Sequence, residues 1–179
     1  KVFQKLYNVP RETIDQFTKY HELLIKCQEK TNLVGSGTIS TIWVRHFSDS
    51  AKLTDRIIAF KSNYKSIIRI CDVGSGAGFP GLVCYLILSS QKYQLKMSLI
   101  ESNKKKCDFL NLVTEKLMLP VRIVNERVEK IDRKYDIIMS RAVAPLHILL
   151  GLLAPLSKKG TILLLPKGKN YPKEIEKAK

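Results

Sequence analysis

Acidic residues are scarce: 16 Asp and Glu stand against 31 Lys and Arg, for a formal net charge of +15. A chain so depleted of one sign offers little to a cationic partner. Its excess points to a polyanion, either nucleic acid or an acidic membrane surface, although part of it also reads as solvated lysine on an ordinary surface. Cysteine occurs four times, at Cys27, Cys71, Cys84 and Cys107. No pair has metal-ligand spacing and two lie inside apolar runs, so they read as reduced buried thiols rather than a disulfide framework. The three histidines are scattered, and no metal site is expected. Long hydrophobic runs are missing as well. The longest, Ala142 to Leu156, is interrupted by Pro145, His147, Gly151 and Pro155, short of the roughly 20 residues that cross a bilayer. With no signal peptide at its start, the chain is expected to be cytoplasmic and free of membrane. Internal repeats and low-complexity blocks are absent.

What is present suits one packed domain with a small helical attachment: 179 residues, 45% apolar and 26% charged. The most informative stretch is Ser66-Ile-Ile-Arg-Ile-Cys-Asp-Val-Gly-Ser-Gly-Ala-Gly-Phe-Pro-Gly81. An apolar run carrying Asp72 near its end breaks into four glycines and then into the apolar helix pattern Leu82–Leu88. Strand, glycine turn and helix form the first unit of a doubly wound α/β sheet, whose ligands lie beyond the strand's carboxyl end. Pro80 fits a first helical position. Two frames compete for the loop. Gly76-x-Gly78-x-x-Gly81 fits a dinucleotide fingerprint, whereas Asp72-x-Gly74-x-Gly76-x-Gly78 fits the nucleoside loop of S-adenosylmethionine enzymes. A pyrophosphate needs free N–H groups at the helix start, and Pro80 deletes one while Phe79 crowds the approach. A sulfonium ligand has no phosphate and is cationic, so the acidic strand end favours the second frame.

Along the chain, residues 10–30 read as an amphipathic helix with Ile14, Phe17, His21, Leu24 and Cys27 on one face. Thr38 or Ser40 can cap a second helix through Ile42, Trp43, Phe47 and Leu53. Its polar side carries Arg45, His46, Asp49 and Ser50. That side reads either as a solvated face with an Arg45–Asp49 pair or as a surface turned to a substrate. From Ser66 onward strand and helix patterns alternate. The second strand ends at Glu101, 20 residues after Gly81, the usual distance for an acid that holds ribose hydroxyls. Lys104, Lys105 and Lys106 open the next helix, opposing its macrodipole unless an anion such as a phosphate backbone offsets them. Later strands are expected at Val121–Asn125, Tyr135–Ser140 and Thr161–Leu165, with the Glu126–Glu129 loop placed to grip an adenine. Five parallel strands with helices on both faces is the economical topology.

These pieces together resemble the RsmG (GidB) family, bacterial methyltransferases acting on guanine N7 of 16S ribosomal RNA in the decoding region. The resemblance runs from about Asn32 to Lys169. It rests on Trp43-x-Arg45-His46-x-x-Asp49-Ser50, on Asp72-Val-Gly-Ser-Gly-Ala-Gly-Phe-Pro-Gly81, on Glu101-Ser102 and on Lys105/Lys106 with Phe109-Leu110. Arg127-Val-Glu129, Ser140-Arg-Ala142 and Lys167-Gly168 complete it. It implies a class I (Rossmann-like) methyltransferase fold with an added N-terminal helical segment, residues 1–60, before a cofactor domain at 61–179. It implies cofactor contacts at Gly74, Phe79, Val128, Glu129 and Arg141. Glu101 stands where an aspartate often sits. Family members continue past residue 179, so further strands are expected beyond Lys179.

Guanine N7 carries an in-plane lone pair and needs no general base, so alignment is the main demand on the enzyme. In keeping with this, the fourth strand is followed neither by the Asn/Asp-Pro-Pro-Tyr of amino-methylating enzymes nor by a Pro-Cys nucleophile. No catalytic nucleophile is expected. Arg141 and Arg45 are expected to orient the RNA, His46 to lie on the same surface, and Lys105, Lys106, Arg127 and Lys167 to contact phosphates. Phe79 and Trp43 are candidates for base stacking. The expected partner is 16S rRNA or the small ribosomal subunit, met by a monomer. A methyltransferase for a small molecule or protein, an NAD-dependent oxidoreductase and a silent RNA-binding module are the rivals.

Overall fold

Apolar runs that alternate with amphipathic segments must bury one face each, and layers around a sheet satisfy that demand. The computed structural model of the protein describes residues 2–62 and 66–178. Strands β1 (Ile68–Val73), β2 (Leu95–Ile100), β3 (Arg122–Val124), β4 (Ile137–Ser140) and β5 (Ile162–Leu164) form one sheet in the order β3-β2-β1-β4-β5. Every neighbouring pair is parallel. The order reverses between β1 and β4, and such a switch point opens a crevice at the strands' carboxyl ends.

Helices α1 (Val2–Tyr7), α2 (Arg11–Gln28), α3 (Asp49–Ala51) and α4 (Thr54–Lys61) precede the sheet. Helices α5 (Gly81–Ser90), α6 (Lys104–Lys116), α7 (Leu146–Leu153) and α8 (Tyr171–Glu176) follow β1, β2, β4 and β5. The core has two parts, one on each face of the sheet. The larger joins Phe17, Tyr20 and Leu24 of α2 with Phe47, Ile57, the apolar side of α6 and nearly all of α5. Helix α5 is buried from Gly81 to Leu88, as expected of a helix with apolar residues all round. The smaller part packs Cys71, Val73, Ile100 and Ile138 against Leu149, Leu153 and Leu156. Residues of the N-terminal helices and of the sheet thus share one core.

Helix α1 lies ahead of the anticipated helix and sets Phe3 against Phe17 at a ring separation of 5.1 Å. Two local expectations are corrected. No single helix is capped by Thr38 or Ser40. A 3₁₀ run (Ser36–Thr41) passes into a wide π-type turn (Trp43–Ser48), then α3 and α4. The Thr38 hydroxyl donates back to the Gly35 carbonyl at 2.7 Å, and none of these segments starts on a side-chain cap. Pro80 is the N-cap of α5 rather than its first residue, after a cis Phe79–Pro80 bond.

Candidate active site

The glycine loop leaves β1 with positive φ at Gly74, Gly76 and Gly78, +69°, +59° and +92°, values that L side chains adopt only under strain. Asp72 stands behind it, fully buried. One carboxylate oxygen accepts from Ser75 Oγ and from the Gly81 N–H, both at 2.8 Å, which ties the loop's two ends together. The other oxygen, Oδ1, is buried without a partner among the described residues. Burial raises the Asp72 carboxyl to about 6, against the lowering effect of those two hydrogen bonds. Asp72 is therefore the anchor of the loop, and the structure presents it to no open surface.

Glu101 follows β2 and closes the loop from the other side. Its Oε2 accepts from the Gly76 N–H at 2.9 Å and its Oε1 from the Asn103 N–H at 2.8 Å. Each carboxylate oxygen keeps acceptor capacity beyond one bond. The backbone at Gly76 is open: a Cβ there would find nothing nearer than the Gly74 carbonyl at 3.9 Å. Gly74 is different, because a Cβ there would fall 2.2 Å from a methyl of Val143. The segment after β4 thus leans over the Gly74 side, with Ala142 at φ +58°. Glycine backbone that approaches without side chains, beside a carboxylate with free lone pairs, fits a ribose-bearing nucleoside on the Gly76 side. The Val128–Lys130 turn after β3 holds Val128 half-buried and Glu129 exposed.

Arg141, Arg45, His46 and Phe79 come together at the crevice between β1 and β4. Arg141 Nη2 is 2.7 Å from His46 Nδ1, Nη1 donates to the Arg45 carbonyl at 3.2 Å, and the guanidinium lies 5.5 Å from the Phe79 ring centre. The other ring nitrogen of His46 is 2.8 Å from Thr38 Oγ1. Burial and the positive charge of Arg141 lower His46 to about 4, so near neutrality it is the uncharged acceptor for Arg141. Phe79 stacks on Tyr20 at 5.6 Å, and the Tyr20 hydroxyl donates to the Ala77 carbonyl inside the loop. Phe79 is buried and so not free for base stacking, while Trp43 is half-buried and packs on Phe47 with ring centres 4.6 Å apart.

The cations expected to meet phosphates separate into two groups. Lys105 and Arg127 are exposed and Lys106 half-exposed at the carboxyl edge of β2 and β3, where Asn103 caps α6 by accepting from the Lys106 N–H at 3.2 Å. Lys104 of the same turn is paired with Asp108. Lys167, by contrast, is committed internally: it pairs with Glu174 and donates to the Ala144 carbonyl, each at 2.9 Å. Asp49 pairs with Lys52 at 2.7 Å rather than with Arg45. A hollow of about 1180 Å³ opens on the β5 side of the crevice, with Lys52, Pro80, Arg141, Val143 and Lys167 in its wall. Among the described residues no group of three His, Cys, Asp or Glu is placed to hold a metal, and no helix is long and apolar enough to cross a membrane.

Comparison with known proteins decides among the rivals. Residues 13–179 match the family described as GidB, rRNA small subunit methyltransferase G. The chain belongs to the GidB family. It is 38% identical over 169 residues to the ribosomal RNA small subunit methyltransferase G of Jannaschia sp. strain CCS1, covering 94% of this chain and 77% of the relative. The protein of the same name from Caulobacter vibrioides is 37% identical over 177 residues, covering 99% and 78%. Among solved structures, magnesium protoporphyrin IX methyltransferase from Synechocystis PCC 6803 with bound SAM overlays with a TM-score of 0.58 at 11% identity, over 89% of this chain and 85% of its own. The ribosomal protein L11 methylase of Lactobacillus delbrueckii overlays with a TM-score of 0.53 at 16% identity, over 73% and 66%. At such identities these likenesses establish the fold, a class I methyltransferase sheet, and the GidB match establishes the family.

Two participants escaped the sequence reading. Tyr20 lies three residues after Phe17 and four before Leu24, so the helical spacing that found those two also contains it. Val143 gave no signal, since its contact with Gly74 is set by the path of the chain after β4.

Proposed function

We propose that this protein transfers a methyl group from S-adenosylmethionine to small-subunit ribosomal RNA, and that the acceptor is N7 of a guanine in the decoding-region loop of the 16S molecule. The relatives' names supply the reaction class and the substrate class. The observation that carries the reading to named residues is the juxtaposition, at one switch point, of the open Gly76 backbone, Glu101 and a guanidinium fixed over Phe79. When bound, the cofactor supplies an electrophilic methyl group on a sulfonium.

The chain's own residues then have positioning work. Glu101 accepts from ribose hydroxyls while its bond to the Gly76 N–H keeps it oriented. Gly74, Gly76 and Gly78 provide bare backbone, and the Val128–Glu129 turn borders the adenine. Asp72 and Tyr20 hold the loop from behind. Arg141, with His46 and the Arg45 carbonyl fixing two of its donors, orients the incoming nucleotide, which the hollow beside it admits. Lys105, Lys106, Arg127 and the Arg45 side chain meet phosphates. N7 loses no proton on methylation, so aligning its lone pair with the methyl and excluding water is what lowers the barrier. The same reading has the protein act as a monomer in the cytoplasm.

The test incubates the protein and labelled methyl donor with naked 16S rRNA, small subunits, and protein and small-molecule extracts from cells lacking the activity. Label recovered as 7-methylguanosine in 16S rRNA is the expected outcome. Label in another nucleoside, in protein or in a small molecule would overturn it.

A further inference from the structure

A second cationic hollow lies at the opposite end of the sheet. Between β3 and β4 the chain makes only the short turn at Val128–Lys130, and no crossover helix covers that stretch of the sheet. Arg69 of β1 is in register with Lys96 of β2, and Ser98 of β2 with Arg122 of β3. Register partners in a parallel sheet share a face, as do residues two apart on one strand. Arg69, Lys96, Ser98 and Arg122 therefore project from the same side. With Arg133 and Tyr135 they line a hollow of about 240 Å³.

The four cations are exposed, whereas Ser98 and Tyr135 are buried, which sets two hydroxyl-bearing side chains beneath a basic rim. Among the described residues no carboxylate lines the hollow. None of the four cationic side chains makes an ion pair or a hydrogen bond to another described residue. The carboxylate of Asp136, whose charge Arg69 feels, is committed to Lys158 at 2.6 Å and to the Arg69 N–H at 2.7 Å. Like charges in register on neighbouring strands repel. An anion in the hollow relieves that repulsion, and guanidinium forks with hydroxyls match the oxygens of a phosphate.

We infer that this hollow is a phosphate site, occupied by a phosphodiester of the RNA substrate remote from the reactive end. The inference rests on the reading above that the substrate is RNA. Five residue steps from Arg69 to Gly74 at about 3.3 Å each put the hollow about 16 Å from the start of the glycine loop, so a folded RNA reaching both ends would be held at two separated places.

The experiment compares RNA binding by the full chain, by K96Q/R122Q/R133Q, and by the charge-matched K5Q/K26Q/K30Q at exposed positions on, and just after, the N-terminal helices, across a salt series. The first variant is expected to bind a 16S-derived RNA about tenfold more weakly near 100 mM salt, with a log–log slope shallower by about two. The control variant is expected to keep most of the affinity, and both variants the wild-type melting temperature and S-adenosylhomocysteine binding. Equal losses in the two variants would make the effect one of net charge and overturn the site, as would no loss in the first. Calorimetric titration with inorganic phosphate separates the two sources of this chemistry: micromolar uptake at the hollow would assign it to free phosphate and overturn the RNA assignment. Failure of the wild type to bind RNA at all would overturn this inference together with the reading it rests on. A wild type that binds and methylates RNA beside an undiminished variant would overturn this inference alone.

Discussion

Gly74 is held at φ +69° with a Val143 methyl where a side chain would begin. Gly74→Ala meets two costs, backbone strain of about 1–2 kcal/mol and the clash. Val143→Ala removes only the second. The expected order of S-adenosylhomocysteine affinity by calorimetry is wild type, then the double variant, then Gly74→Ala alone, with about tenfold or more between first and last. Equal affinities for the two Gly74 variants would show that Val143 yields freely. His46 gives a second prediction, with a sign that can be worked out. Its folded value, about 4, is below that of the unfolded chain, near 6.5. The unfolded chain thus takes up the proton first, and stability is lost as pH falls from about 6.5 towards 4. Asp72 acts in the opposite sense: raised to about 6 from an unfolded value near 3.9, it favours the folded state as it is protonated in that window. Comparing melting temperatures of wild type and His46→Gln isolates the histidine, because Asp72 is common to both. The variant should lose less stability between pH 6.5 and 4, and parallel curves would remove His46 from this role.

Helix α2 acts on the site through one residue. Tyr20 stacks on Phe79, donates to the Ala77 carbonyl, and its hydroxyl would lie 2.5 Å from a Cβ at Gly78. Tyr20→Phe keeps the ring and leaves a buried carbonyl without its partner, which costs about 1–3 kcal/mol. The expected result is a lower denaturation midpoint together with weaker cofactor binding, since the loop loses its rear support. A variant with unchanged cofactor affinity would make α2 a packing element only. The turn from Trp43 to Ser48 is a π-type one, a form often found at functional sites. Here it buries Phe47 while the Arg45 carbonyl accepts from Arg141 and the His46 ring faces the same guanidinium. Apolar spacing at Trp43 and Phe47 announced a helix, and that much was readable. The wide turn was not, because it depends on what Thr38 and Arg141 bond to rather than on periodicity.

For the whole molecule, the net charge of +15 is unevenly useful. Lys167 and Lys104 have internal partners, while Lys105, Lys106 and Arg127 sit along the carboxyl edge without ion pairs among the described residues. K105Q/K106Q/R127Q is expected to flatten the salt dependence of RNA binding by about one log–log unit for each phosphate contact removed. An unchanged slope would place the RNA elsewhere. Both the edge and the strands behind it were legible from the chain: Ile68–Val73, Leu95–Ile100 and the later runs fall within one or two residues of their expected bounds. Lys167 shows the limit of such reading, since its use is decided by Glu174 and Ala144 rather than by its own neighbourhood.

The amino-acid order by itself determined the alternation of strands and helices, the glycine turn after β1, the acid at the end of β2 and the excess of cations. Each of these is a local pattern whose period or spacing is written in consecutive residues. Only the tertiary structure decided that Asp72 is an anchor, that Val143 covers Gly74, and that His46 holds Arg141 across 95 positions of chain. The reason is geometric: a hydrogen bond or a van der Waals contact is set by where two segments pass each other. That crossing follows from packing of the whole sheet and its helices, so no window of sequence contains it.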